Sequence, residues 1–184
     1  MALLDAVELL KHDHRMVEQL FRDYRAAASD QQRRGVVELM IRELSKHAAL
    51  EELVVYPLAK EVLPGERAEI DNHLAEHLDV KRTLAELDRL HEGDERTNEL
   101  MAELEREIGE HVREEEGELL SKLRESLDQQ ALDELGEVLE QAKHTAPTRP
   151  HPHAPNEPPA LALAAPVAAI YDRLRDRLQG RPQT

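Results

Sequence analysis

Four amphipathic segments of this chain carry imidazoles and carboxylates on the stripes that should be apolar, and this conflict narrows the possible folds more than any other feature. The first segment steps by fours and threes through Leu3, Val7, Leu10, His14, Val17, Phe21 and Tyr24, which is one face of a helix. The second runs through Val37, Met40, Leu44, His47, Glu51, Val54 and Leu58, and the third through Ile70, His73, His77, Val80, Leu84 and Leu87. The fourth carries Met101, Leu104, Ile108, His111, Glu115, Leu119 and Leu123. Pro64-Gly65 and Gly93-Asp94 punctuate the chain between them. Short connections make long helices antiparallel neighbours, so the fold class predicted is all-α, an up-down-up-down four-helix bundle.

Composition agrees. Phe21, Tyr24, Tyr56 and Tyr171 are the only aromatic residues, so the core is built from aliphatic side chains, which suit packed helices. The formal charge is −15, from 24 Lys and Arg against 39 Asp and Glu. That disfavours nucleic acid, whose binding depends on cationic contacts to phosphate, and anionic membrane surfaces. The longest apolar stretch, from Leu161 to Ile170, is interrupted by Pro166 and is too short to span a bilayer. The first residues have no basic region ahead of an apolar run, so no secretory signal is expected and the location predicted is cytoplasmic. There is no cysteine, which removes disulfides, thiolate metal sites and thiol catalysis.

The seven polar intruders are His14, His47, Glu51, His73, His77, His111 and Glu115. Burying an unpaired charge costs several kcal/mol, so such groups are normally paired or bound to metal. Residues four apart share a helix face, which makes His47 with Glu51, His73 with His77, and His111 with Glu115 three chelating pairs; His14 adds a fourth direction. From one helix to the next the histidines recur after about one helix and one turn. A helix of ~25 residues spans ~38 Å, so all four helices deliver their ligands near one level. Two halves of the chain echo each other: each supplies one His and then one His-x3-Glu pair. Nitrogen and oxygen donors without thiolate suit iron, manganese, zinc or cobalt. A structural zinc takes four ligands; seven suit two ions. Two six-coordinate ions sharing two carboxylates and an oxo or hydroxo group leave one position open for a small ligand. Glu-x-x-His pairs, as in ferritin-like sites, and the His-Glu-x-x-His of zinc proteases are both absent.

This pattern resembles the hemerythrin, or HHE cation-binding, family of non-haem di-iron four-helix bundles. The resemblance covers residues 1 to about 126, and all seven positions map in order. It implies two oxo- or hydroxo-bridged iron ions held by these seven residues, with Glu51 and Glu115 as the bridging carboxylates. The oxygen-carrying hemerythrins instead have an Asp at His-x4-Asp spacing, where this chain has Glu116. The apolar stripe favours Glu115, with Glu116 as its rival. The family reading implies a small ligand, dioxygen, peroxide or nitric oxide, at the open position. Catalase- or peroxidase-like activity is one alternative, and a metal-stabilised sensor or interaction module another.

Outside the stripes, His12 is one step off and expected in solvent. His91 is expected at the surface, His144, His151 and His153 in a linker, and Glu52 and Glu116 exposed. The acids Glu103, Glu105, Glu107, Glu110 and Glu114 read as a solvated face. Tyr56 is expected to pack near a bundle end, with a phenol reaching the metal as the alternative. Residues 127–142 form a short fifth helix, 143–159 a Pro-rich linker, and 160–184 an amphipathic C-terminal tail able to dock on the acidic bundle or on a second subunit.

Overall fold

The computed structural model describes residues 4–153 and 165–180. Leu3 of the first stripe, and the parts of the linker and tail at 154–164 and 181–184, lie outside the described residues. Helices α1 (Ala6–Ala26), α2 (Asp30–Leu50), α4 (Arg67–Arg89) and α5 (Arg96–Glu114) form the bundle, with α3 (Tyr56–Val62) and α6 (Leu120–Ser126) extending its second and fourth columns. α7 (Gln129–Lys143) and α8 (Ala165–Leu178) pack against one end. No strand occurs among the described residues, so the all-α expectation holds. No described helix is long and apolar enough to cross a membrane.

Local chemistry sets the helix starts. Asp5, Ser29 and Asp128 adopt extended backbone, and their side chains accept from Glu8, Gln32 and Ala131 N–H at 3.0, 3.2 and 2.8 Å, each satisfying one of the four orphan donors of a helix start. Gly93 turns the chain between α4 and α5 at φ 81°, a left-handed conformation that costs other residues a steric clash.

The second and fourth columns are not the single helices that periodicity suggests. Each is broken by a π turn, Glu51–Val55 and Glu115–Leu119, and each turn begins at the glutamate of a His-x3-Glu pair. In the first, Pro57 has no N–H to continue the ladder, and the Tyr56 N–H bonds back to Glu51 O, five residues earlier. In the second, the Leu120 N–H reaches Glu115 O, and the Ser121 hydroxyl donates to Glu116 O at 3.0 Å.

Every described residue of the four predicted stripes is buried. The apolar ones form two clusters. One, built around Val17, Met40, Leu84 and Leu104, fills the end where α1 meets α2. The other, built around Leu10, Leu58, Leu120 and Leu135, joins the opposite end to α7 and α8. Between them lies a polar layer holding the seven histidines and glutamates.

Both appended helices are anchored. At Gly136 of α7 a Cβ would come within 2.4 Å of the Leu4 carbonyl oxygen, so this helix meets the start of α1 backbone to backbone. The tail docks on its own bundle: Val167, Tyr171 and Leu174 are buried, Tyr171 donates to Val54 O at 3.0 Å, and Arg175 and Arg177 pair with Glu61 and Glu134.

Candidate metal centre

Six of the seven predicted residues converge. The donor atoms of His14, His47, Glu51 and Glu115 lie within 4.8 Å of one another, as do those of Glu51, His77 and His111. Glu51 belongs to both groups. One of its oxygens is 3.0 Å from His47 Nε2, and the other is 3.1 Å from His77 Nε2. Glu115 Oε2 stands 3.3 Å from His14 Nε2 and 3.8 Å from His111 Nε2. Both carboxylates are wholly buried. His73 is one step outside: its ring packs edge-on to His111 with centroids 5.0 Å apart, and it joins a third group with Glu76 and His111.

The donor set fits a cation. Ligands at right angles on an ion with bonds of ~2.1 Å stand ~3 Å apart. The Nε2 atoms of His14 and His47 are 3.1 Å apart, and those of His77 and His111 are 3.3 Å apart. Glu51 Oε1, Glu115 Oε2 and His73 Nε2 are buried without a hydrogen-bond partner, although Glu51 Oε1 has an imidazole nitrogen at 3.0 Å. Buried polar atoms are rarely left so; lone pairs aimed at a common point rather than at each other are what a shared cation requires.

The electrostatics point the same way. Burial pushes the Glu51 carboxyl up, yet His47 and His77 hold it well below the usual carboxylate range. Burial pulls His77 down, and Glu51 and Glu52 outweigh it, carrying the imidazole to about 9. His47 is likewise raised, against burial, by Glu51 and Asp13. The carboxylates favour positive charge among themselves.

Several expectations are corrected. Glu52 is buried rather than exposed, and Glu116 is only 19% exposed. Each turns inward because the far nitrogen of a neighbouring imidazole needs an acceptor. With Asp13 and Glu76 they form a circuit round the bundle. Asp13 on α1 faces His47 Nδ1 at 3.5 Å, and Glu52 accepts from His77 Nδ1 at 3.1 Å. Glu76 on α4 accepts from His111 Nδ1 at 2.7 Å, and Glu116 from His14 Nδ1 at 2.8 Å. Each acid adjoins a candidate ligand in sequence and serves a histidine on the next helix column. An Nδ1–H held this way leaves the Nε2 lone pair facing the interior. Lys143, Lys81 and Arg15 pair with Asp13, Glu52 and Glu116 at 2.8, 2.6 and 2.6 Å.

Glu116, the rival for the last carboxylate position, therefore lies behind His14, while Glu115 faces the other donors. Tyr56 is not at a bundle end. Its hydroxyl lies among the candidate ligands, donating to Glu115 Oε1 at 3.0 Å and standing 3.2 Å from His77 Nε2. Burial, with Glu115 and Glu51 nearby, pushes the phenol well above its ordinary value, so it remains a donor. His12, His91, His144, His151 and His153 are exposed, as expected. Most of the α5 acid run is exposed too, with Glu105 and Glu107 half-buried.

The comparisons with known proteins agree with this geometry. Residues 5–123 match the profile of the hemerythrin HHE cation-binding domain. The chain is 30% identical over 173 residues to an uncharacterized hemerythrin-like protein of Schizosaccharomyces pombe, covering 92% of this chain and 84% of that one. No solved structure matches it. On the strength of the domain match and this relative, the chain belongs to the hemerythrin HHE cation-binding family.

Proposed function

We propose that the protein is a non-haem di-iron protein that binds or reacts with a small oxygen species. His14 and His47 would hold one iron, and His73, His77 and His111 the other, with Glu51 and Glu115 shared between them. The observation that carries this reading is the position of Glu51, whose two oxygens belong to two separate donor groups. With two histidines against three, the α1–α2 side would have fewer imidazoles and so would leave room there for a small ligand. A pair of irons held by these residues would supply redox chemistry and an electrophilic site for dioxygen, peroxide or nitric oxide.

The chain's own residues have definable tasks. Asp13, Glu52, Glu76 and Glu116 orient the imidazoles. Tyr56 holds Glu115 by a hydrogen bond and offers a protonated phenol beside the donors. The apolar clusters on both sides keep bulk water from the layer, which favours a small ligand over a bulky substrate.

Metal content and the visible spectrum of the purified protein, before and after dioxygen or peroxide, test this. About two irons per chain, with an absorption that responds to the added species, are expected. Oxygen evolution from peroxide would make the protein catalase-like, whereas a stable reversible adduct would make it a carrier or sensor. Absence of bound iron from protein purified with iron supplied would overturn the reading.

A further inference from the structure

Of the four carboxylates that ring the donors, Glu76 differs from the other three. Asp13, Glu52 and Glu116 each have a Lys or Arg partner, whereas among the described residues Glu76 faces two imidazoles and no Lys or Arg. It is also the most open of the four, with 38% of its side chain exposed. A single oxygen, Oε2, stands 3.2 Å from His73 Nδ1 and 2.7 Å from His111 Nδ1. These three side chains form a third group with the spacing of metal ligands. The group is joined to the interior: His111 faces Glu76 with Nδ1 and the inner donors His77 and Glu115 with Nε2. His73 is wholly buried, its Nε2 has no hydrogen-bond partner, and a second half-exposed acid, Glu69, stands 3.9 Å from that atom.

We propose that Glu76, with His73 and His111, is an outer cation site through which divalent metal enters the centre. The inference rests on the metal-centre reading above and adds to it a route. An uncompensated carboxylate at the edge of an otherwise closed layer raises the local concentration of cations. An ion captured there lies one imidazole from the interior donors. Coordination through Nδ1 requires the other tautomer of the neutral imidazole, with the proton carried on Nε2, and the proton goes back to Nδ1 when the ion moves to the Nε2 side. The three acids already neutralised by Lys or Arg offer no such attraction, so they orient imidazoles without drawing in metal.

Cobalt(II) alone, added to the full chain after chelator treatment and followed by its visible absorption, separates capture from holding. Glu76→Gln keeps an oxygen to accept from both Nδ1–H groups but loses the charge. The uptake rate is expected to fall roughly tenfold, a larger change than any in the rate of release to chelator, because the amide oxygen still accepts from both Nδ1–H groups. Glu76→Asp, which keeps the charge, should retain most of the rate. Uptake in the parent should slow with added salt, and in Glu76→Gln much less. An unchanged uptake rate in Glu76→Gln, or a defect seen only as faster release, would overturn the proposal and leave Glu76 as an orienting group. Failure of the parent itself to take up cobalt would count against the metal-centre reading, a different outcome from either.

Discussion

At the scale of single residues the seven stripe positions were readable because their chemistry contradicts their location. A histidine or glutamate in an apolar stripe must have a reason, and the spacing of four gives one. The carboxylates behind the imidazoles were not readable in the same way. Asp13, Glu52, Glu76 and Glu116 adjoin His14, Glu51, His77 and Glu115 in sequence, but each serves a histidine on a different column, and only the packing of columns reveals which. Adjacency to a ligand was the available sign, and on a chain this acidic it does not stand out. Glu52 makes the consequence testable. It accepts from His77 Nδ1 on one oxygen and from Lys81 on the other, so the amide of Glu52→Gln would place an N–H against one of two donors. Loss of such an outer partner costs ~10–100-fold in metal affinity. Competition with a chelator of known strength should show that drop, and an affinity equal to the parent's would mean that His77 is oriented by Tyr56 and its packing alone.

Among the helices, periodicity gave four columns, a fifth helix and a C-terminal helix, and all are present, with residues 160–164 and 181–184 of the expected tail outside the described residues. It did not give the π turns, because one inserted residue leaves an apolar stripe looking continuous. Pro57 was a readable cause of the first, while the second has only Gly117 and Ser121 as local hints. Such turns often lie at functional sites, and here both start at a candidate bridging glutamate, so the internal echo of the sequence extends to backbone geometry. The fifth helix is a structural partner of the centre as well: Lys143 at its end pairs with Asp13, which faces His47. Its seat depends on Gly136. A valine there would drive its Cβ into the Leu4 carbonyl, and overpacking of this kind costs about 1–3 kcal/mol. Gly136→Val is therefore expected to lower the urea midpoint of the chain, with the helical signal at zero denaturant largely kept. An unchanged midpoint would mean that α7 can shift along α1 without penalty.

The whole molecule places a polar layer between two apolar clusters, so the chain gives up part of its central core to house the site. Stability must then be concentrated elsewhere, and the end carrying α7 and α8 is where the start of α1 meets both α6 and α7. Asp5 is the junction. It caps α1 through the Glu8 N–H and accepts from Arg124 on α6 at 3.1 Å and from Gln129 on α7 at 3.3 Å. Burial pushes its carboxyl up, but the Glu8 N–H, Gln129 and Arg124 together bring it below the ordinary 3.8. A carboxyl whose folded value lies below its unfolded one contributes stability that is complete above the unfolded value, and that contribution is lost as pH falls through the folded one. Asp5 thus stabilises the fold at neutral pH and progressively less in the window below 3.8. Asp5→Asn keeps a capping oxygen but cannot ionise, so it should cost ~1 kcal/mol at neutral pH and nearly nothing in strong acid. Denaturant titrations of parent and variant across that range should therefore converge as pH falls. Because Asp5 touches none of the candidate ligands, the convergence is expected in chelator as well as with metal bound. A constant gap between the two proteins at every pH would show that the carboxyl's contribution is geometric rather than ionic.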